Sequence, residues 1–534
     1  MLNLKEDLEM TGKELISCFF KDQGIKEVFC LPGIHILPIV ESLIRSGISL
    51  YFARCERSLL FMADGYSRAS GKPAIVFVTP GPGITSSVLG SYEAFWSEVP
   101  ILLIHVYSVE GTLGKGALHE LSHPESIFEE ITKRIIKVEK KEDLSSLLRE
   151  SLFLTLKGRP GPVLLSIPSE FLEKDITGLD FLSSEEEGGD DEDFATKLEK
   201  FLYRKKRPVI IAGWGMMAEE ARLILDEVCS KAQIPVFTTT GGKGVVDERK
   251  PYAFGNVIQK RTVSKILEEA DAVIAIGTRL REVDTKRRGV KIKSLVHVDI
   301  DGRYFDRNYK AELKGTGGIK GYLKAIKSVT ERKRFGWRIE ELKSNYLRDM
   351  EGLSREKGFR IIRTIRESIP EDTITVWDLN ILSYWAEYYF PVYEQRTFFM
   401  PRGSSTIFYA LPGAIGAKIA KVDLPCLSIC GDGGVLPAIG ELSTIAKYRI
   451  PLVLLIYNNM GFGVLESVMR KRYQISGSMG LRNPDFVKIA NAFGFEGKKV
   501  KSEEELARIL REVSWEEPFV VEVCLPIFES PWEV

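Results

Sequence analysis

Short, continuously apolar runs recur along the whole chain: EVFCLPG, PAIVFVTPGPG, PILLIHVY and PVLLSIPS, then PVIIAGWG, DAVIAIGT and SLVHVDID, and finally PCLSICGDGG and PLVLLIYNN. Each has the length of a strand buried on both faces. Between them lie stretches such as ERSLLFMADGYSRAS and AEEARLILDEVCSKA, in which apolar residues return every three or four positions, the period of a helix with one buried face. Strands without polar alternation, separated by such helices, specify parallel sheets covered by helices on both sides. The predicted fold class is therefore α/β, with doubly wound parallel sheets.

A chain of 534 residues is too long for one core. The best boundary is SSEEEGGDDED, residues 183–193, where like charges and paired glycines cannot bury anything. A second is expected in the highly charged stretch 331–356. Three α/β segments result, 1–180, 194–335 and 357–534. The 74 basic and 74 acidic residues cancel, which removes the charge footprint of a general nucleic-acid binder. The longest apolar runs fall far short of the ~20 residues of a membrane-spanning helix. Seven cysteines, odd in number and without a C-x-x-C, sit mostly inside apolar runs and read as buried thiols of a reducing compartment. The first residues read as a charged amphipathic helix without the apolar core of a signal peptide, so the expected location is the cytoplasm.

One motif points to a hydrolase. His119, Glu120 and His123 match the H-E-x-x-H pattern of zinc enzymes. That chemistry needs the two histidines one turn apart on a helix, Glu120 as base and a third ligand further on. Pro124 disfavours helical backbone at His123, and with five histidines in all few candidate third ligands remain.

A different chemistry is written in the third segment. In LSICGDGGVLPAIGELSTIAKYRIPLVLLIYNNMGFGVLE, one buried run ends in Gly431-Asp432-Gly433-Gly434 and the next ends in Asn458-Asn459-Met460-Gly461. Both endings fall at the carboxyl ends of adjacent strands, where open α/β sheets bind ligands. Glycines let backbone N–H groups approach phosphate oxygens at the start of the following helix. Asp432, the Asn459 amide oxygen and the Gly461 carbonyl are hard oxygen ligands suited to Mg²⁺.

This pairing, with Asn459 placed 27 residues after Asp432, resembles the GDG and NN motif of the thiamine diphosphate enzymes, and the resemblance extends over nearly the whole chain. It is nearest to the group of acetolactate synthase, benzaldehyde lyase and pyruvate decarboxylase. The resemblance implies a pyrimidine-binding, a middle and a diphosphate-binding domain in that order, with thiamine diphosphate and Mg²⁺ as cofactors. It places the metal on Asp432, Asn459 and Gly461, and the diphosphate near Gly431, Gly433 and Gly434. Relatives commonly carry Ser or Thr at Gly434. In MPRGSSTIFYALPGAIGAKIA, Ile407 matches the bulky residue that bends the cofactor, and the Ser405 carbonyl the acceptor for its amino group. Asn380-Ile381-Leu382 stand where acetolactate synthases carry Gly-Gln-His, which leaves some diphosphate contacts unassigned.

In the first segment, LYFARCERSLLFMADGYSRASGKPAIVFVTPGPG is close to the family's RHE…MADGYARATGKPGV…TSGPG. The resemblance gives Glu56 the role of the carboxyl that stabilises the imino form of the cofactor's aminopyrimidine, and puts Gly81 beside the cofactor. His35 matches a histidine of benzaldehyde lyase. His119 replaces a glutamine of acetolactate synthases and matches a histidine of pyruvate decarboxylase. Val468 replaces an acetolactate synthase tryptophan that favours the larger acceptor, and Val464 and Glu466 are expected at the same pocket. The middle-domain loops that hold FAD in some relatives are replaced by GNVIQKRT and TRLREVDT, so FAD is not expected. The activity implied is decarboxylation of a 2-oxo acid with transfer of the resulting enamine to an acceptor. A carbon–carbon lyase of the benzaldehyde lyase or hydroxyacyl thioester kind is the alternative, and zinc hydrolysis a remote one. Active sites shared between subunits are implied, hence a homodimer or homotetramer.

Overall fold

The computed structural model describes residues 10–107, 114–116, 118–176, 192–285, 289–526 and 528–531. The acidic linker expected at 183–193 lies largely outside them. The apolar runs form three six-stranded sheets, parallel throughout.

The first contains β1 (Glu27–Cys30), β2 (Ser49–Phe52), β3 (Ala74–Val78), β4 (Ile101–Tyr107), β5 (Arg134–Lys137) and β6 (Val163–Pro168). Their spatial order is β2-β1-β3-β4-β6-β5. The second contains β7 (Pro208–Ala212), β8 (Val236–Thr238), β9 (Ala253–Asn256), β10 (Ala272–Ile276), β11 (Leu295–Asp299) and β12 (Leu313–Thr316), in the order β9-β8-β7-β10-β11-β12. The third contains β13 (Ile374–Trp377), β14 (Phe398–Phe399), β15 (Cys426–Gly431), β16 (Val453–Tyr457), β17 (Glu496–Val500) and β18 (Phe519–Val523), in the order β14-β13-β15-β16-β18-β17. The first and third sheets thus share one topology.

These two domains pack through helices α1 (Glu56–Ser70) and α2 (Ala410–Ala420). The helices touch backbone to backbone: a Cβ at Gly65 would lie 1.9 Å from the Gly413 carbonyl oxygen, and one at Gly416 1.8 Å from that of Met62. Only glycine permits that approach. Phe61 and Met62 of one helix then share a core with Leu411 and Ile415 of the other. The charged stretch 331–356 has structure of its own. It folds into the helix Ile339–Gly352, and Trp337, Ile339 and Tyr346 complete the core of the middle sheet. No described helix is long and apolar enough to cross a membrane.

Candidate active site

In the third sheet the strand order reverses between β13 and β15, which opens a crevice at their carboxyl ends. A cavity of about 170 Å³ lies there, lined by Asn380, Ile407, Gly431 to Gly434, Asn459 and the turn from Gly461. Gly431 and Tyr457 are register partners on β15 and β16, so Asp432 and the two asparagines leave the sheet side by side.

Asp432 is 3% exposed. Its Oδ2 accepts hydrogen bonds from Gly461 N at 3.0 Å and Asn483 Nδ2 at 2.7 Å, and its Oδ1 accepts from Gly433 N at 3.0 Å. Burial still pushes its carboxyl above the usual range, against the effect of those bonds. Asn458 is tied down, donating to Glu522 Oε1 at 2.8 Å and accepting from Met460 N at 3.2 Å. Asn459 Oδ1, by contrast, is buried without a partner. The Gly461 carbonyl accepts from Gly463 N at 3.0 Å, which leaves it one lone pair. Among the described residues no group of three or more His, Cys, Asp or Glu could hold a metal. A cation here would therefore use one carboxylate, neutral oxygens and the anionic groups of a ligand, a donor set that fits Mg²⁺ with a diphosphate.

The absence of a hydroxyl at Gly434 has a local reason. A Cβ there would meet Asp378 Oδ2 at 2.2 Å. Asp378 is fully buried and accepts from Phe408 N at 2.9 Å and Tyr409 N at 2.8 Å, so its carboxylate fixes the end of the turn that carries Ser405 and Ile407. Ser405 and Phe408 in that turn take positive φ, 53° and 61°. Ile407 is 36% exposed and faces the cavity rather than the core. Asn380, at the departed triplet, accepts from Leu382 N and Ser383 N and caps its own helix. Val464 lines the cavity, whereas Val468 is half-buried and is not among the lining residues. Glu466 turns away, accepting from Gly477 N at 2.5 Å and Met479 N at 3.1 Å.

The first domain gathers the other expected residues. Glu56 is the first residue of α1 and half-buried. The segment leading to it is docked on the third domain of the same chain: Glu441 accepts from Arg54 N at 3.0 Å and Tyr448 Oη from Phe52 N at 2.8 Å. His35, after β1, and His119 stand with ring centroids 5.8 Å apart. Burial first, and His119 second, lower the pKa of His35 below the ordinary imidazole value. Gly81, at φ 62°, packs against His119, where a Cβ would lie 2.8 Å from that of the histidine.

The H-E-x-x-H helix does not form. His119 has φ 64° and His123 a non-helical backbone ahead of Pro124. Glu120 accepts instead from the backbone of Gly114 and Gly116. The non-helical backbone expected ahead of Pro124 is present at His123, and the zincin letters match without the zincin backbone. Sequence reasoning missed Asn483, Asp378, Glu441 and Glu522, whose roles come from strand register and tertiary contact.

Three family models match in order along the chain. They are the thiamine pyrophosphate enzyme N-terminal TPP binding domain at 10–126, the central domain at 195–326 and the C-terminal TPP binding domain at 381–523. A probable acetolactate synthase large subunit of Methanocaldococcus jannaschii is 29% identical over 98% of this chain and 93% of its own length. A probable 2-ketoarginine decarboxylase of Pseudomonas aeruginosa is also 29% identical, over 96% of this chain and 93% of its own length. The acetolactate synthase large subunit of Lactococcus lactis is 27% identical over 98% and 94%. With all three domains of that family in sequence, each built on its own parallel sheet, the chain belongs to the thiamine pyrophosphate enzymes.

Proposed function

We propose that the protein is a thiamine diphosphate- and Mg²⁺-dependent 2-oxo acid decarboxylase or carboligase, acetolactate synthase-like in class. The observation that carries this reading is Asn459 Oδ1, buried without a partner beside the buried carboxylate of Asp432. Asp432, Asn459 and the Gly461 carbonyl would hold the cation. Gly431, Gly433 and Gly434 would let the backbone approach the diphosphate, Ile407 would support the cofactor, and the Ser405 carbonyl would accept from its amino group. Bound thiamine diphosphate supplies the electron sink for the carbon that loses CO₂. Glu56 would hold the proton at the aminopyrimidine, and Gly81 would lie beside the cofactor. His35 and His119 would exchange a proton with the substrate side.

The cavity wall belongs wholly to the third domain, whereas Glu56, His35, His119 and Gly81 belong to the first. Large apolar side chains are exposed beside both sets, Ile34 and Leu118 near the histidines and Met460 and Leu465 at the cavity mouth. Such patches mark surfaces that are covered in the working assembly, which supports a homodimer or a dimer of dimers. Flavin is not part of the proposal. The crevice of the middle sheet is crossed by Arg279, bonded to Glu98 at 2.7 Å, and Arg281, bonded to Asp284 at 2.8 Å.

A relative named as a synthase and one named as a decarboxylase are equally similar, which supports a second 2-oxo acid or a proton as the acceptor. The His35–His119 pair favours a second reading, cleavage of a hydroxy ketone or hydroxyacyl thioester, because two imidazoles can move the hydroxyl proton that starts such a cleavage. The test is incubation of the pure protein with thiamine diphosphate, Mg²⁺ and a panel of 2-oxo acids, following CO₂ and identifying products by mass. Release of CO₂ from at least one is expected. Cleavage of a hydroxy ketone with no 2-oxo acid turnover would move the assignment to the lyase.

A further inference from the structure

The two oxygens of Asp432 are treated differently by their surroundings. Oδ2 accepts two hydrogen bonds, from Gly461 N and Asn483 Nδ2, whereas Oδ1 accepts from Gly433 N. The direction of the Asn483 amide is set from a distance. Glu522, 1% exposed and paired with Lys499 at 3.2 Å, offers only acceptors. It therefore draws Asn458 Nδ2 to itself at 2.8 Å, and Asn458 must turn its Oδ1 the other way. That oxygen accepts from Asn483 Nδ2 at 2.9 Å, and the same nitrogen reaches Asp432 Oδ2 at 2.7 Å. An amide and its flipped form have nearly the same shape. Here the flip is decided by a chain of donors and acceptors that begins at a carboxylate.

Asn483 is delivered by a segment that pairs with the metal loop itself: Gly480 bridges Gly461, and Leu481 N donates to the Met460 carbonyl at 2.8 Å. It is thus built into the site rather than passing near it.

We propose that Asn483 sets the metal selectivity of this site. By saturating Oδ2 it confines Asp432 to coordination through one oxygen, Oδ1. One-oxygen carboxylate ligation suits small, strictly octahedral Mg²⁺, while two-oxygen ligation suits the larger and looser shell of Ca²⁺. The proposal rests on the reading of this cavity as the cofactor's cation site. Asn483 touches neither substrate nor cofactor in this scheme and acts through Asp432, as a positioning residue.

The test is a titration of apoprotein with Mg²⁺ or Ca²⁺ at fixed thiamine diphosphate, read by quenching of intrinsic fluorescence. Wild type should prefer Mg²⁺. Asn483→Ala should lose about tenfold of that preference, the worth of one hydrogen bond to a charged oxygen, chiefly by binding Ca²⁺ more tightly. Glu522→Gln keeps Asn483 in place but frees the Asn458 amide to turn, so it should lose part of the same preference with the site otherwise whole. Unchanged Mg²⁺/Ca²⁺ ratios in both variants, or equal weakening of both ions, would overturn the selectivity role. Failure of wild type to bind either ion with thiamine diphosphate would overturn the cofactor site itself, and the proposal with it.

Discussion

Gly434→Ala is a small change with a large expected effect. A Cβ at this position would lie 2.2 Å from Asp378 Oδ2, so the carboxylate must retreat by about 1 Å to reach ordinary contact. Asp378 has no solvent to retreat into, being 0% exposed. It also holds Phe408 N and Tyr409 N at 2.9 and 2.8 Å, bonds to a charged group worth roughly 1.5–3 kcal/mol each. Crowding of a packed interior adds about 1–3 kcal/mol. Alanine returns at most about 1 kcal/mol over glycine in a helix, so destabilisation wins by about 2 kcal/mol or more. The retreat also loosens the turn of Ser405 and Ile407, so cofactor affinity should fall with stability. Urea unfolding of the apoprotein followed by circular dichroism, together with a thiamine diphosphate titration, measures both effects. Combining the change with Asp378→Ala should cost less than the sum of the two, because the clash is then already relieved. An unfolding midpoint at or above wild type, with unchanged cofactor affinity, would refute the steric account of Gly434.

Three further outcomes follow from the same geometry. Burial raises the pKa of Asp378 to about 6 from the ordinary 3.8; a carboxyl raised on folding stabilises the fold while protonated and loses that contribution as pH climbs from about 4 through 6, a cost of about 3 kcal/mol. Asp378→Asn should flatten the pH dependence of thermal stability across that window, and an unaltered profile would contradict it. Glu441→Ala removes the acceptor for Arg54 N and should lower stability by about 1–2 kcal/mol and kcat with it, with the cofactor cation site untouched in the same fluorescence titration. His35→Ala and His119→Ala should each lower kcat by about a hundredfold with cofactor affinity preserved; full activity in either would remove that histidine from proton transfer.

What was legible in the sequence was local. The apolar runs carried the parallel sheets because strands buried on both faces need no partner information to be recognised. The glycines around Asp432 and the asparagine pair were legible because each is a strand ending. Asn483 was not, since it meets Asp432 across 51 positions through the pairing of two loops. Nor was Glu441, which reaches Arg54 across 387 positions and two domains. Within the stretch 331–356 the charge density hid a stripe, Ile339 and Tyr346, that lies on one helical face and packs inward. The failure of the H-E-x-x-H match was legible in part: Pro124 announces the non-helical backbone at His123, whereas the left-handed backbone at His119 belongs to the loop around it.

The central claim is that Glu56 runs the chemistry of a cofactor held by Asp432 and Asn459. Glu56→Gln tests it most directly. With thiamine diphosphate and Mg²⁺, binding measured by fluorescence should match wild type while CO₂ release from the preferred 2-oxo acid falls by about a thousandfold, within the range of a lost proton-transfer group. Turnover equal to wild type in that variant would contradict the account.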